Sequence, residues 1–105
     1  MPLRVIITIL PRHDKTDFTW ERLQWLAEQV KQHEPDVTSY RYGRNDGTYG
    51  EAGFVAVMEI KDQKSLENRR NLPHHQEIAR LIREEGLLRE PLRYFVLTEE
   101  GGWGR

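Results

Sequence analysis

Phe54-Val55-Ala56-Val57-Met58-Glu59-Ile60 is apolar on both of its sides when read as a strand. Phe54, Ala56, Met58 and Ile60 fall on one face, and Val55 and Val57 on the other. Two further runs share this character. In Leu3 to Leu10, rich in β-branched residues and stopped by Pro11, Val5, Ile7 and Ile9 oppose Ile6 and Leu10. In Leu92 to Leu97, Tyr94 and Val96 oppose Phe95 and Leu97.

The elements between these runs set the topology. A polar turn, Asp14 to Asp17, with Thr16 or Asp17 as cap, leads into a helix from Phe18 to Gln32. Its apolar stripe is Trp20, Leu23, Leu26, Ala27 and Val30, and Pro35 ends it. Val37 to Tyr42 reads as a strand with Thr38, Tyr40 and Tyr42 on one side; a turn-rich link, Gly43 to Gly53, follows. A second helix comes in two pieces, Gln63 to about Arg70 and Pro73 to Glu85, with Pro73 in a first-turn position and Gly86 as the stop.

The order β-α-β-β-α-β predicts one α+β domain over residues 1–105, of the ferredoxin-like split βαβ type. Two helices then cover one face of a four-stranded antiparallel sheet. The other face is also apolar and too large a patch for a soluble monomer. The simplest cover is the same face of a second copy, which predicts a homodimer whose two sheets enclose a barrel-like interior, a dimeric α+β barrel.

Composition narrows the function classes. The net charge is −1, with 16 basic residues scattered among 17 acidic ones, which argues against a nucleic-acid or membrane-surface partner. The absence of cysteine excludes a thiolate nucleophile, a disulfide framework and a Cys-type metal site. No charged-then-apolar leader and no membrane-length apolar run occur, so a cytoplasmic protein is expected. The glycines of Gly43 to Gly53 match no phosphate-binding fingerprint.

Leu72-Pro73-His74-His75-Gln76 carries the chemistry. His74 and His75 lie four and three residues before Ile78, on the stripe continued by Leu81 and Ile82. A core helix has little reason to begin its buried face with two groups that titrate near neutrality, so this face is expected to border a cavity. Side chains one residue apart diverge by ~100° on a helix, so the pair is not expected to chelate one metal ion. His13 and His33 fall in polar turns.

Phe54 to Leu66, Leu72-Pro73-His74-His75-Gln76 and Glu85-Gly86-Leu87-Leu88 together resemble the antibiotic biosynthesis monooxygenase (ABM) domains, and their fungal branch most closely. The resemblance implies a dimeric α+β barrel with a small-molecule cavity between the sheet and the second helix. It implies an oxidoreductase of secondary metabolism that acts on an aromatic or polyketide-like compound without metal, flavin or other cofactor. His74, the histidine of the family's Pro-His element, is then the base that removes a phenol or enol proton. Tyr40 or Tyr42 donates a hydrogen bond, and Phe54, Met58, His75, Ile78, Ile82 and Tyr94 contact substrate. Arg69 stands where relatives often have histidine, and the asparagine and tryptophan of haem-degrading relatives are missing, with Thr8 near the asparagine's place. That disfavours haem degradation. A cyclase or decarboxylase on the same fold is an alternative. So is a non-catalytic dimeric binding or assembly protein that uses Trp25 and Trp103 as contact points.

Overall fold

A computed structural model describes residues 2–105. β1 (Leu3–Ile9) is followed by a 3-10 turn (His13–Lys15), α1 (Thr16–His33), β2 (Val37–Asn45) and β3 (Gly53–Ile60). Then come α2 (Gln63–Asn68), a second 3-10 turn (Arg69–Asn71), α3 (Pro73–Glu85) and β4 (Arg93–Leu97). The strands form one antiparallel sheet in the order β2-β3-β1-β4, the ferredoxin-like arrangement expected. No helix among the described residues is long and apolar enough to cross a membrane.

The register explains why both strand faces are apolar. One face carries the rows Tyr42–Ala56–Ile7–Tyr94 and Tyr40–Met58–Val5–Val96, reading from β2 to β4. Leu3, Val5, Ile7, Ile9, Phe54, Ala56, Met58 and Ile60 are buried there with Leu23 of α1 and form the core. The opposite face carries Arg41–Val57–Ile6–Phe95 and Gly43–Val55–Thr8–Arg93. No helix covers that side, and Val55 and Phe95 are 39% and 56% exposed.

Local chemistry sets the joints. The Asp62 carboxylate accepts the Ser65 amide (2.8 Å) and caps α2. The break before α3 falls where Pro73 takes the first turn, and Gly86, at φ 59°, closes α3 in the left-handed region. Gly53 marks a close approach of strands: a Cβ there would lie 2.7 Å from Leu10 Cδ2 and 2.9 Å from the Ile9 carbonyl oxygen. The end of β1 is tied to the chain after α3 by Arg12 N–H to Leu87 O (2.8 Å) and Arg89 N–H to Leu10 O (2.9 Å).

The start of α1 differs from expectation. The polar turn is itself helical, Lys15 precedes the first helical residue, and no side-chain oxygen caps the amides. Thr16 instead donates its hydroxyl to the carbonyls of Arg12 (3.3 Å) and His13 (3.2 Å), so its oxygen is turned away from the role of acceptor.

Candidate functional site

α1, α3 and the second 3-10 turn lean over the sheet and leave a cavity of about 330 Å³, at the small end of ligand-binding sites. His75, Ile78, Ala79 and Ile82 line it from α3, at spacings of three and four residues. Thr19, Leu23 and Leu26 line it from α1, Ile7, Tyr40 and Tyr94 from the sheet, and Leu87, Leu88 and Leu92 from the segment before β4. The α3 face that begins at the histidines therefore borders a cavity rather than dry core. Leu81, on the same helix, goes into the packed interior.

The predicted residues separate into two groups. His75, Ile78, Ile82, Tyr40 and Tyr94 are brought together on the cavity wall. His74 is buried beside the cavity, outside its wall. Phe54 and Met58 are fully buried in the sheet core. Tyr40 and Tyr42 share a sheet face, as expected, yet do not enter the cavity together. Tyr42 sits one row further along, edge-on to Trp20 with ring centres 5.4 Å apart. Arg41 and Arg93 lie on the helix-free face, and Arg80 pairs with Glu77 and Glu84 on the outside of α3. Trp25 is half-buried with the Arg22 guanidinium 5.2 Å over its ring, whereas Trp103 is 81% exposed.

A buried polar cluster supports the cavity. Glu34, just past the end of α1, has a side chain only 4% exposed. Its Oε1 accepts Arg69 Nε (2.6 Å), and its Oε2 accepts both His74 Nε2 (2.6 Å) and His75 Nε2 (2.8 Å). Burial pushes the Glu34 carboxyl up, but the hydrogen bonds from His75, Arg69 and His74 outweigh it and hold the pKa at about 2. A carboxylate only accepts, so each Nε2 carries its proton, which leaves Nδ1 as the basic atom of a neutral His75 ring. Burial pulls the His75 pKa below 6.5, with the Glu34 hydrogen bond opposing and the Arg69 charge assisting. His75 is thus a neutral imidazole at neutral pH. Burial also raises Tyr40 to about 12 and Tyr94 in the same direction, so both phenols remain hydrogen-bond donors.

The two imidazoles do not diverge as their helical spacing implied. Their ring centres are 4.6 Å apart, because each ring extends far enough from the backbone for its tip to reach the same oxygen. One carboxylate oxygen and two imidazole nitrogens within 4.8 Å of one another are also ligand types that a divalent transition metal takes. Here the carboxylate charge is already matched by the buried Arg69, and a dication would have to sit beside that guanidinium. We assign the cluster as a hydrogen-bonded network.

Glu34 was missed in the sequence because nothing periodic marks it. The available signal was an acidic residue at a helix C-terminus, where the macrodipole disfavours negative charge and another use for the side chain is implied. Arg69 stood out only as a departure from the pattern of the family the sequence resembles. In the structure it spans from Glu34 to the Met58 sulfur, with Nη1 3.0 Å from Sδ.

No family model and no curated protein matches the sequence. Solved structures do match its shape. Rv0793 from Mycobacterium tuberculosis superposes with a TM-score of 0.82 at 19% identity, over 99% of this chain and 100% of that one. A protein described as an antibiotic biosynthesis monooxygenase superposes at 0.78 and 18% identity, over 94% and 99%. A dimeric ferredoxin-like protein of unknown function from Thermobifida fusca superposes at 0.73 and 16% identity, over 92% and 90%. At these identities the likeness is one of fold. The chain therefore shares the ferredoxin-like α+β fold of these proteins, among them one described as an antibiotic biosynthesis monooxygenase.

Proposed function

We propose that this protein is a homodimeric enzyme of the cofactor-independent monooxygenase type, acting on a small aromatic or polyketide-like molecule in the cavity. The observation that carries the reading is a neutral imidazole, His75, on the wall of a mostly apolar cavity, held in one tautomer by the ionised Glu34. Sequence resemblance favoured His74 as base. His75 is the better candidate because it borders the cavity, whereas His74 is buried with its Nε2 committed to the same carboxylate. Tyr40 is the hydrogen-bond donor, and Tyr42, Phe54 and Met58 support the site from the core.

The chemistry follows from those roles. His75 Nδ1 takes the acidic proton of a phenol or anthrone, leaving a carbanion stabilised by the ring system. The carbanion reduces dioxygen: one oxygen atom forms the new carbonyl and the other leaves as water, taking both hydrogens of the oxidised carbon in an anthrone, or the hydroxyl hydrogen and the single hydrogen of the oxidised ring carbon in a phenol. The homodimer is supported by the uncovered sheet face around Ile6, Val55, Val57 and Phe95, and by the dimeric description of the Thermobifida fusca neighbour.

The test is oxygen uptake with an anthrone as probe. Wild type is expected to turn it over, His75→Ala to lose roughly 10²-fold or more, Tyr40→Phe to lose less, and Trp103→Ala to match wild type. Turnover of an aromatic substrate without oxygen uptake would replace this reading with the cyclase or decarboxylase. Full activity in His75→Ala would remove the proposed base.

A further inference from the structure

We propose that the cavity selects an anionic aromatic ligand, one whose apolar body bears a carboxylate or enolate oxygen that accepts from Arg69 Nη2 and from the Thr19–Arg22 step of α1. The inference deepens the reading above and rests on it for the location of the ligand. Among the described residues, the buried side-chain polar atoms without a hydrogen-bond partner are Thr19 Oγ1, Arg22 Nε and Arg69 Nη2. All three residues line this one cavity. Folded proteins pair nearly all such atoms, so three orphans gathered around one space describe what that space is shaped to receive.

Their chemistry points to an acceptor. Guanidinium nitrogens only donate, and the threonine hydroxyl donates as readily as it accepts. Arg69 is 9% exposed, and its Nε and Nη1 are already taken by Glu34 and Met58. Only Nη2 remains for a ligand. Arg22 is held against Phe18 and Trp25, its guanidinium carbon 5.9 and 5.2 Å from their ring centres. Glu77 of α3, whose carboxylate feels the Arg22 charge, is bound to Arg80 (2.5 Å). The wall carries three arginines, Arg22, Arg69 and Arg70, and no carboxylate side chain. Tyr40 and Tyr94 add two further donors. Leu23, Leu26, Ile78 and Ile82 supply the apolar surface for the ligand's body.

Calorimetric titration with 2-naphthoate and with its neutral isostere 2-acetylnaphthalene separates charge from shape. Wild type is expected to prefer naphthoate by about tenfold or more, the scale of one charge-assisted hydrogen bond. Thr19→Val and Arg22→Met should each weaken naphthoate and leave the ketone unchanged. Arg69→Lys should abolish the preference, and the α1 variants carry the test if that protein fails to fold. Equal affinity for the two probes, binding of neither, or a preference that survives all three substitutions overturns the inference. Naphthoate preference without oxygen uptake from anthrone removes the oxygenase and leaves this inference standing. Anthrone turnover without the preference does the reverse.

Discussion

Replacing Glu34 by glutamine removes the charge at the centre of the buried cluster and keeps its shape. A carboxyl held at about 2 instead of 4.5 contributes about 3 kcal/mol to folding at neutral pH. Mutational experience gives the same scale, since breaking a buried ion pair and stranding one charge, here Arg69, costs about 3–5 kcal/mol. The glutamine oxygen still accepts from Arg69, which places the expected loss near the lower end. Against a total stability of about 5–15 kcal/mol, that is a large fraction, equivalent to a fall in Tm of roughly 10–20 °C.

The pH dependence provides the sharper check. The folded carboxyl has the lower pKa, so its stabilisation is fully present above pH 4.5 and is lost as pH falls towards 2. His75 adds a loss of the same sign that begins below pH 6.5, because the unfolded chain takes up that proton first. Urea unfolding of wild type and Glu34→Gln, at matched protein concentration from pH 7 to pH 3, should show the gap between them closing as pH falls. A loss below about 1 kcal/mol at pH 7, or a gap that does not narrow, would refute the buried charged network.

Other expectations concern different parts of the molecule. Phe95→Asp puts a charge in the middle of the helix-free face; a phenylalanine contributes about 1.5–3 kcal/mol on burial and enters a twofold interface twice. The dimer dissociation constant measured by sedimentation should rise roughly hundredfold or more, and a wild-type monomer at micromolar concentration would end the dimer reading. Gly53→Ala forces a Cβ against the Ile9 carbonyl, which belongs to the sheet and cannot swing away, and should cost about 1–3 kcal/mol by denaturant unfolding. Anthrone oxidation should fall on the acid side with an apparent pKa below 6.5, since His75 acts only when neutral and burial lowers its pKa. An acid limb centred above 6.5 would exclude His75 as the base.

The fold was legible because it depends on repetition. Alternation along Leu3 to Leu10 and Phe54 to Ile60, the stripe of α1 and the breaks at Pro35, Pro73 and Gly86 each repeat one signal several times, and a few errors at the ends change nothing. The site depends on single side chains that meet across sequence separations of 35 to 41 residues. His74 and His75 were visible because they interrupt an apolar stripe. Glu34 interrupts nothing. Which tyrosine reaches the cavity was also hidden, because Tyr40 and Tyr42 are equivalent in alternation and differ only in what α1 lays over each row.

Arg69 shows why those single side chains matter together. An arginine buried in an apolar wall is tolerated only if its charge is matched and its donors are used. Glu34 matches the charge through Nε, and Met58 accepts from Nη1. The same carboxylate leaves Oε2 for the histidines, so pairing the arginine and orienting His75 are one structural event. A histidine at this position could neither bridge to Met58 while holding Glu34 nor keep a free donor for the cavity. Arg69 therefore reaches both the proposed base and the proposed ligand, and a change there should disturb proton transfer and ligand selection together.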